Sequence, residues 1–209
     1  MTSGKFITLE GGEGAGKSTQ VKILADFLRG KGIDVVQTRE VGGSPSAEAI
    51  RELWLTKGED YWDALSELLL IMAARREHLV KTVFPALSRG AWVISDRFAD
   101  STRAYQGIGL GLGLDVVEDI YRRIAPDFEP DLTLLLDLPV EAGLSRMSAR
   151  GGQDDRYQQK NIDFHQKLRD AYLSIAQKFA PRFRVIDASG DAPTVASLIE
   201  QAVRGHFKL

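Results

Sequence analysis

Residues 11–18 read Gly11-Gly12-Glu13-Gly14-Ala15-Gly16-Lys17-Ser18 and match the pattern G-x-x-x-x-G-K-[ST], which is typical of loops that bind nucleotide phosphates. An apolar strand pattern over Lys5–Glu10 precedes this motif, and a helical pattern over Ser18–Leu28 follows it. Glycines let successive backbone N–H groups point into one concavity, and the helix N-terminus adds a partial positive charge. The stretch therefore predicts a strand, a phosphate loop and a helix in succession.

The motif also predicts chemistry. Lys17 is expected to reach the β- and γ-phosphates of a triphosphate, and the Ser18 hydroxyl is expected to ligate Mg²⁺. The rival dinucleotide pattern G-x-G-x-x-G fails, because Glu13 stands where its second glycine is required. We therefore predict a nucleoside-triphosphate site formed by Gly11, Gly12, Glu13, Gly14, Ala15, Gly16, Lys17, Ser18 and Thr19.

Strand and helix patterns alternate along the rest of the chain. Further strands are predicted over Asp34–Thr38, Trp92–Ser95, Leu132–Leu136 and Arg184–Ile186. Further helices are predicted over Ala47–Leu55, Ala64–Ser88, Val116–Ala125, Val140–Ala149, Ile162–Phe179 and Pro193–Val203. Because a parallel return needs a connection long enough to hold a helix, this order predicts a three-layer α/β/α fold with a five-stranded parallel sheet.

The composition limits the class of protein. The 209 residues carry 27 Lys and Arg against 29 Asp and Glu and include no cysteine, which excludes disulfides, thiolate zinc sites and cysteine nucleophiles. A near-neutral charge argues against a nucleic-acid partner. The longest apolar run, Leu68–Ala74, is far shorter than the ~20 residues that a bilayer requires, and the strand pattern at Lys5 leaves no room for a signal peptide. We therefore expect a single cytoplasmic domain, residues 1–209, with no membrane partner.

Two segments between these elements are rich in glycine. Gly107–Gly113 alternates glycine with apolar residues and is expected to be a mobile loop, because glycine weakens both helix and strand. Gly151–Arg156 is polar and lies between two predicted helices. We expect a lid at about residues 150–160.

Charged residues stand where predicted strands end, namely Glu10, Arg39, Asp96 and Asp137. Ligands of parallel sheets bind outside the carboxyl ends of the strands, and the chain has no guanine-reading N-K-x-D motif. A short phosphate-loop chain with arginines along one rim is typical of a small-molecule kinase, because two phosphate-bearing substrates need several converging cations. The candidate cations are Arg39, Arg51, Arg75, Arg97, Arg146, Arg150 and Arg156.

Further motifs point to one family. They are T-R-E-V-G-G at Thr38–Gly43, A-R-R-E-H-L at Ala74–Leu79, D-R-F at Asp96–Phe98, S-T-R-A-Y-Q-G at Ser101–Gly107, Leu136-Asp137 and Asp155-Arg156. With them the chain resembles the bacterial type of thymidylate kinase, from Phe6 to the C-terminal helix. The D-R pair followed by S-T-x-A-Y-Q-G is the most specific part, because other nucleotide kinases of this fold lack it. The resemblance implies Mg²⁺-dependent phosphoryl transfer from ATP to dTMP, giving dTDP and ADP, in a homodimer.

The resemblance also implies roles on the dTMP side. Arg39 and Arg97 would clamp the monophosphate, Glu13 would accept a hydrogen bond from the sugar 3′-hydroxyl, and Asp96 would orient Arg97 or hold Mg²⁺ through water. Tyr105 would lie where a 2′-hydroxyl would go. Arg75, Thr102 and Gln106 would read the pyrimidine edge. The full set of implied dTMP contacts is Glu13, Arg39, Arg51, Ile71, Arg75, Arg97, Ser101, Thr102, Tyr105 and Gln106.

On the ATP side, the resemblance implies that Arg150 and Arg156 close over the γ-phosphate and that Arg146 stacks on adenine. The implied catalytic set is Lys17, Asp96, Arg97, Arg150 and Arg156, with Ser18 and Asp96 at the metal. No general base is needed, because the second pKa of a phosphate monoester is about 6 and the acceptor is already an anion at neutral pH.

The sequence departs from the family pattern at three positions. Val41 replaces the proline of T-R-E-P-G-G, Ile71 stands where a phenylalanine usually stacks on thymine, and Gln158 replaces a lid glutamate. These changes keep two alternatives open. One is another deoxynucleoside or nucleoside monophosphate kinase of the same fold, acting for example on dUMP or deoxycytidine; the other is a non-catalytic nucleotide-binding regulator.

Overall fold

A computed structural model describes residues 4–56, 61–150, 157 and 160–209 of the chain. Its five strands form one sheet in the order β2-β3-β1-β4-β5, and every neighbouring pair is parallel. The strands are β1 (Phe6–Glu10), β2 (Val35–Arg39), β3 (Trp92–Asp96), β4 (Leu132–Asp137) and β5 (Phe183–Asp187). The prediction of a five-stranded parallel sheet is confirmed.

Helices connect the strands. They are α1 (Lys17–Gly30), α2 (Pro45–Leu55), α3 (Ala64–His78), α4 (Phe84–Ser88), α5 (Ala99–Thr102), α6 (Leu114–Ile124), α7 (Val140–Arg150), α8 (Ile162–Lys178) and α9 (Ala192–Phe207). Wider π-helical turns, Leu79–Val83 and Arg103–Gly109, continue α3 into α4 and extend α5, and a 3₁₀ turn, Ala180–Arg182, precedes β5. The single helix predicted over Ala64–Ser88 is therefore helical throughout but π-helical near its centre.

The sheet is covered on both faces. Ile7 and Leu9 pack with Leu24 of α1 on one side, whereas Phe6 packs with Leu68 of α3 on the other. All five residues of β1 are buried, as expected for a parallel sheet between two helical layers. The three-layer α/β/α fold is confirmed.

The starts of the helices follow local sequence signals. Ser44, Asp63, Asn161 and Asp191 each accept a hydrogen bond from a backbone N–H in the first turn of the helix that follows, and this stabilises a helix by about 1 kcal/mol. α1 starts differently, since Gly16 precedes it with a φ of 91° and has no side chain with which to cap. Its first N–H groups are thereby left to an anion.

The expectation of a mobile loop over Gly107–Gly113 is wrong for the first three of these residues. Gly107 to Gly109 belong to the π-helical turn that follows α5. This turn packs closely on α8, since a Cβ on Gly109 would lie 3.0 Å from a methyl group of Leu168. Glycine allows the close approach here, and the tertiary contact overrides its low helix propensity.

Two expectations concern the rest of the chain. Among the helices of the described residues, none combines the length and apolar character that crossing a bilayer requires. Most of the lid expected at residues 150–160, including Arg156 and Gln158, lies outside the described residues, as does the side chain of Arg150.

Candidate active site

The phosphate loop leaves β1 at the carboxyl edge of the sheet and enters α1. Gly14 and Gly16 have φ values of 69° and 91°, which glycine adopts without steric cost. A Cβ on Gly14 would also overlap the carbonyl oxygen of Gly143 in α7. Backbone strain and tight packing against α7 both require glycine at this point of the motif.

The motif's two chemical groups lie at the start of α1. The Lys17 ammonium donates to the carbonyl oxygens of Gly11 (3.0 Å) and Gly12 (2.8 Å), so it closes the mouth of the loop. The Ser18 hydroxyl donates to Oδ2 of Asp96 at 2.5 Å. A hydroxyl and a carboxylate oxygen thus meet beside the loop, and oxygen ligands of this kind suit Mg²⁺, which is usually held by one or two protein groups together with substrate phosphates.

A pocket opens beside the phosphate loop. Nine of the ten side chains expected to contact dTMP line it, namely Glu13, Arg51, Ile71, Arg75, Arg97, Ser101, Thr102, Tyr105 and Gln106. Five further residues complete the lining: Glu40, Val41, Trp54, Phe98 and Tyr157. The structure therefore brings together residues that lie as much as 144 positions apart in the chain (157 minus 13).

Arg97 connects the pocket to the phosphate loop. Its backbone has a φ of 68°, and its guanidinium donates to the carbonyl oxygen of Gly11 at 3.2 Å and to Oε1 of Glu13 at 2.5 Å. The same guanidinium donates to the hydroxyls of Tyr172 at 3.1 Å and Ser101 at 3.3 Å. Loop and pocket thus share one oriented cation.

The contacts of Glu13 explain how a carboxylate is tolerated inside a phosphate loop. Its Oε1 accepts from Arg97 and also from the Tyr105 hydroxyl, both at 2.5 Å. The Arg97 guanidinium lies 5.2 Å from the centre of the Tyr105 ring, within the range of a cation–π contact. The negative charge of Glu13 is therefore balanced by a guanidinium, a partner that the sequence patterns did not indicate.

Arg75 lies in the interior of the pocket wall, with only 2% of its side chain exposed. Its guanidinium donates to Glu40 at 2.7 Å, to the Thr102 hydroxyl at 2.8 Å and to the carbonyl oxygen of Phe98 at 3.2 Å. Burial alone would raise the pKa of Glu40, but the Arg75 charge and the hydrogen bond from His78 outweigh burial and lower it. Glu40 and Arg75 therefore form a buried ion pair.

Glu10 lies behind the pocket and was not assigned a role by the sequence patterns. Its carboxyl accepts from the Phe98 backbone N–H at 2.8 Å and from the Ser101 hydroxyl at 2.6 Å. Burial, with a smaller contribution from the charge of Asp100, raises the pKa of Glu10 to about 7. Glu10 thus supports two segments that carry pocket side chains and titrates near neutral pH.

Several expected site residues lie elsewhere. Arg39, the tenth expected dTMP contact, pairs with Glu48 at 2.9 Å, and 54% of its side chain is exposed. Arg146 donates to the carbonyl oxygens of Ala188 and Ser189 at 3.0 Å. Of the seven candidate arginines, the pocket brings together Arg51, Arg75 and Arg97. Asp96 was expected to orient Arg97 or to hold Mg²⁺ through water; its carboxylate accepts from Ser18, and Glu13 accepts from Arg97.

Sequence reasoning missed some pocket residues for which a signal existed. Trp54 lies three positions after Arg51 in α2, and this spacing places both on one helix face. Glu67, Ile71 and Arg75 repeat every four positions along α3, so the same rule would have placed Glu67 beside the pocket. Tyr172, by contrast, comes from α8 and carries no local signal.

Comparisons with known proteins agree with this geometry. The family model described as "Thymidylate kinase" matches residues 9–199. The chain is 49% identical to the thymidylate kinase of Caulobacter vibrioides over 97% of each chain, and 48% identical to that of Magnetococcus marinus over 98% of this chain and 97% of the relative.

A solved structure shows the same fold. The crystal structure of thymidylate kinase from Ehrlichia chaffeensis superposes with a TM-score of 0.80 at 32% identity, covering 96% of this chain and 99% of the other. The family model covers the phosphate loop, the pocket and every strand of the sheet except the first three residues of β1. This chain belongs to the thymidylate kinase family.

Proposed function

We propose that this chain transfers the γ-phosphoryl group of ATP to dTMP, giving dTDP and ADP, with ATP on the phosphate loop and dTMP in the adjoining pocket. The position of Arg97 carries the proposal. One guanidinium touches the loop at Gly11 and Glu13 while lining the pocket, so the phosphate ends of two bound nucleotides would meet there. The family to which the chain belongs supports the same reaction.

The pocket suits an acceptor that is already an anion. A phosphate monoester needs no general base, and the transfer depends on positioning and on screening the repulsion between two anions. Arg97 would clamp the acceptor phosphate, since a guanidinium offers two parallel donors to two oxygens. Lys17 would hold the β- and γ-phosphates from the other side.

Ser18 and Asp96 would hold Mg²⁺, the one directly and the other through water. An ion held by these two residues would supply positive charge against the phosphates of the bound triphosphate. The 2.5 Å contact between the Ser18 hydroxyl and the Asp96 carboxylate supports this assignment, because oxygen atoms of this kind are the ligands that Mg²⁺ prefers.

The remaining cations would act at the edges of the site. We propose that Arg39 is a second, outer contact of the acceptor phosphate, which requires its exposed pair with Glu48 to open. Arg146, whose guanidinium is held by backbone carbonyls, would stack on adenine. Arg150 and Arg156, within a lid at about 150–160, would close over the γ-phosphate.

We further propose a cytoplasmic homodimer. Leu53 of α2 and Leu65 and Leu69 of α3 are 45%, 44% and 51% exposed, and exposed apolar side chains on adjacent helices favour association with a second copy. Sedimentation of the wild-type chain and of the Leu69→Glu variant tests this point. A dimer that the substitution converts to a monomer is expected, and a wild-type monomer would contradict it.

The reaction is tested by an ADP-release assay with ATP, Mg²⁺ and each of dTMP, dUMP and dCMP. Turnover is expected to be fastest with dTMP. Strong turnover with dCMP and none with dTMP would show another nucleotide kinase of the same fold. Nucleotide binding without turnover of any acceptor would show a regulator.

A further inference from the structure

Three buried polar side chains meet in and behind the wall of the pocket. Gln106 lines the pocket and is 2% exposed, Glu67 of α3 is 2% exposed, and Tyr157 is 4% exposed. The Gln106 amide nitrogen donates to Oε1 of Glu67 at 2.7 Å and to the Tyr157 hydroxyl at 3.0 Å. The Tyr157 hydroxyl in turn donates to the same Glu67 oxygen.

This arrangement permits one orientation of the Gln106 amide. A carboxylate oxygen only accepts, so it requires the NH₂ group of Gln106 to face it. The Tyr157 proton is used on Glu67, which leaves the phenol oxygen to accept from Gln106. Turning the amide over would place its oxygen against the Glu67 oxygen and leave buried polar groups unpaired, which is costly.

The amide oxygen of Gln106 is therefore the atom that remains for a ligand. Within the described part of the chain, the side-chain hydrogen bonds of Gln106 run through its amide nitrogen, while the residue itself lines the pocket. An acceptor fixed in this position favours a base whose edge presents an N–H group. Thymine and uracil have such a group at N3, whereas neutral cytosine presents a bare acceptor nitrogen there.

We propose that Glu67, together with Tyr157, is a specificity-determining positioning pair that holds the Gln106 amide oxygen toward the pocket and so selects pyrimidines with an N3–H against cytosine. The inference rests on the proposed function, because it assumes that the pocket binds a pyrimidine monophosphate. Neither residue needs to touch the base, since each acts through Gln106.

The test compares Glu67→Met, which removes the acceptor, with Glu67→Gln, which keeps a carbonyl oxygen where Oε1 lies. The kcat/KM for dTMP and for dUMP and the inhibition constant of dCMP against dTMP are measured for each variant. In Glu67→Met we expect the preference for dTMP over dCMP to fall by at least about 10-fold, because the freed amide can present either group. Glu67→Gln should keep most of the preference.

The dTMP to dUMP ratio is the internal control. Both bases have N3–H, so this ratio should stay within about 2-fold in every variant, while a merely structural defect would lower all activities and leave the dTMP to dCMP preference unchanged. An unchanged preference in a folded Glu67→Met variant overturns the inference. If that variant does not fold, Tyr157→Phe decides: a fall of a few-fold supports the inference, and no change overturns it.

Failure of the proposed function can be distinguished from failure of the role assigned to Glu67 and Tyr157. If the wild-type chain did not turn over dTMP, the proposed function itself would fail. A wild-type enzyme that prefers dTMP, combined with variants that keep this preference, would refute only the role of Glu67 and Tyr157.

Discussion

The phosphate loop and the dTMP pocket lie side by side, but they are built from different parts of the chain. The loop is contiguous, from Gly11 to Ser18, and its binding groups are backbone N–H groups at the start of α1. The pocket shares Glu13 with the loop, but its other side chains come from segments spread along the chain, chiefly α2, α3, α5 and the turn after α5. A contiguous backbone site depends on the absence of Cβ atoms, whereas an assembled site depends on partners that hold each side chain.

The two regions therefore hold their cations differently. Lys17 donates to two carbonyl oxygens of its own loop, which are neutral acceptors. Arg75 is paired with the buried Glu40, and removing one member of such a pair strands the other, at a cost of roughly 3–5 kcal/mol. Replacing Lys17 should thus affect activity more than stability, while replacing a member of the buried pair in the pocket should affect both.

The largest effect expected is that of Lys17→Ala on turnover. The rate should fall by at least about 1,000-fold, because the ammonium opposes charge on the transferring phosphoryl group, while the midpoint of thermal unfolding stays near that of wild type. Lys22→Ala, on the exposed face of the same helix, is the matched control and should retain full activity. Turnover that survives in Lys17→Ala would contradict the proposed phosphate contact.

The Arg97→Ala substitution should weaken the use of dTMP more than the binding of ATP. We expect kcat/KM for dTMP to fall by about 100- to 1,000-fold and the KM for ATP to change far less, because the clamp on the acceptor phosphate is lost. Arg39→Ala, which removes an exposed guanidinium already paired with Glu48, should cost less than about 10-fold. An equal loss for both nucleotides in Arg97→Ala would undo its assignment to the acceptor.

The difference between loop and pocket also explains what could be predicted from sequence. Every residue of the loop follows from one motif, because neighbours in the chain are neighbours in the site. Ile71 and Arg75 share a face of α3, so their joint presence in the pocket follows from helical spacing. Tyr172 of α8 and Tyr157 reach the site only through tertiary packing, which no local pattern encodes.

Arg39 and Glu10 show a second limit of prediction from sequence. Arg39 stands at a strand end that faces the site, but a nearby carboxylate, Glu48, takes its guanidinium. The choice between two partners within reach of one long side chain depends on geometry that spacing does not give. Glu10 has a buried carboxyl at the same rim, and its role follows from contacts with Phe98 and Ser101 that appear only in the folded chain.

The Glu10→Gln variant tests whether the buried carboxyl behind the pocket makes stability depend on pH. The raised pKa of Glu10, about 7 against 4.5 in an unfolded chain, means that its contribution to stability is fully present below pH 4.5 and is lost as the pH rises through 7. Glutamine does not titrate, so the free energy of unfolding of the variant relative to wild type should rise by about 2–3 kcal/mol between pH 5 and pH 8. Urea denaturation at both values measures it.

The sign of this difference is the decisive observation. Glu40 has a lowered pKa and contributes stability that is lost as the pH falls, but it is present in both proteins and cancels. A difference that stays flat from pH 5 to pH 8 would show that Glu10 does not titrate near 7. A variant that loses stability equally at both values would show that its two hydrogen bonds matter and its charge does not.

The smallest effect expected concerns Ile71, which lines the pocket and is 4% exposed. An aromatic ring at this position can stack on a pyrimidine and adds about 0.5–1.5 kcal/mol beyond apolar burial, so Ile71→Phe should lower the KM for dTMP by about 2- to 10-fold. The added volume opposes this gain if the wall cannot move, and the unfolding midpoint detects that cost. The KM for ATP in the same variant is the control and should not change, because the phosphate loop is built from backbone on the other side of Arg97. If the KM for dTMP does not change in a variant that is as stable as wild type, the base does not lie against Ile71, and the division of the site into a donor loop and an acceptor pocket would have to be redrawn.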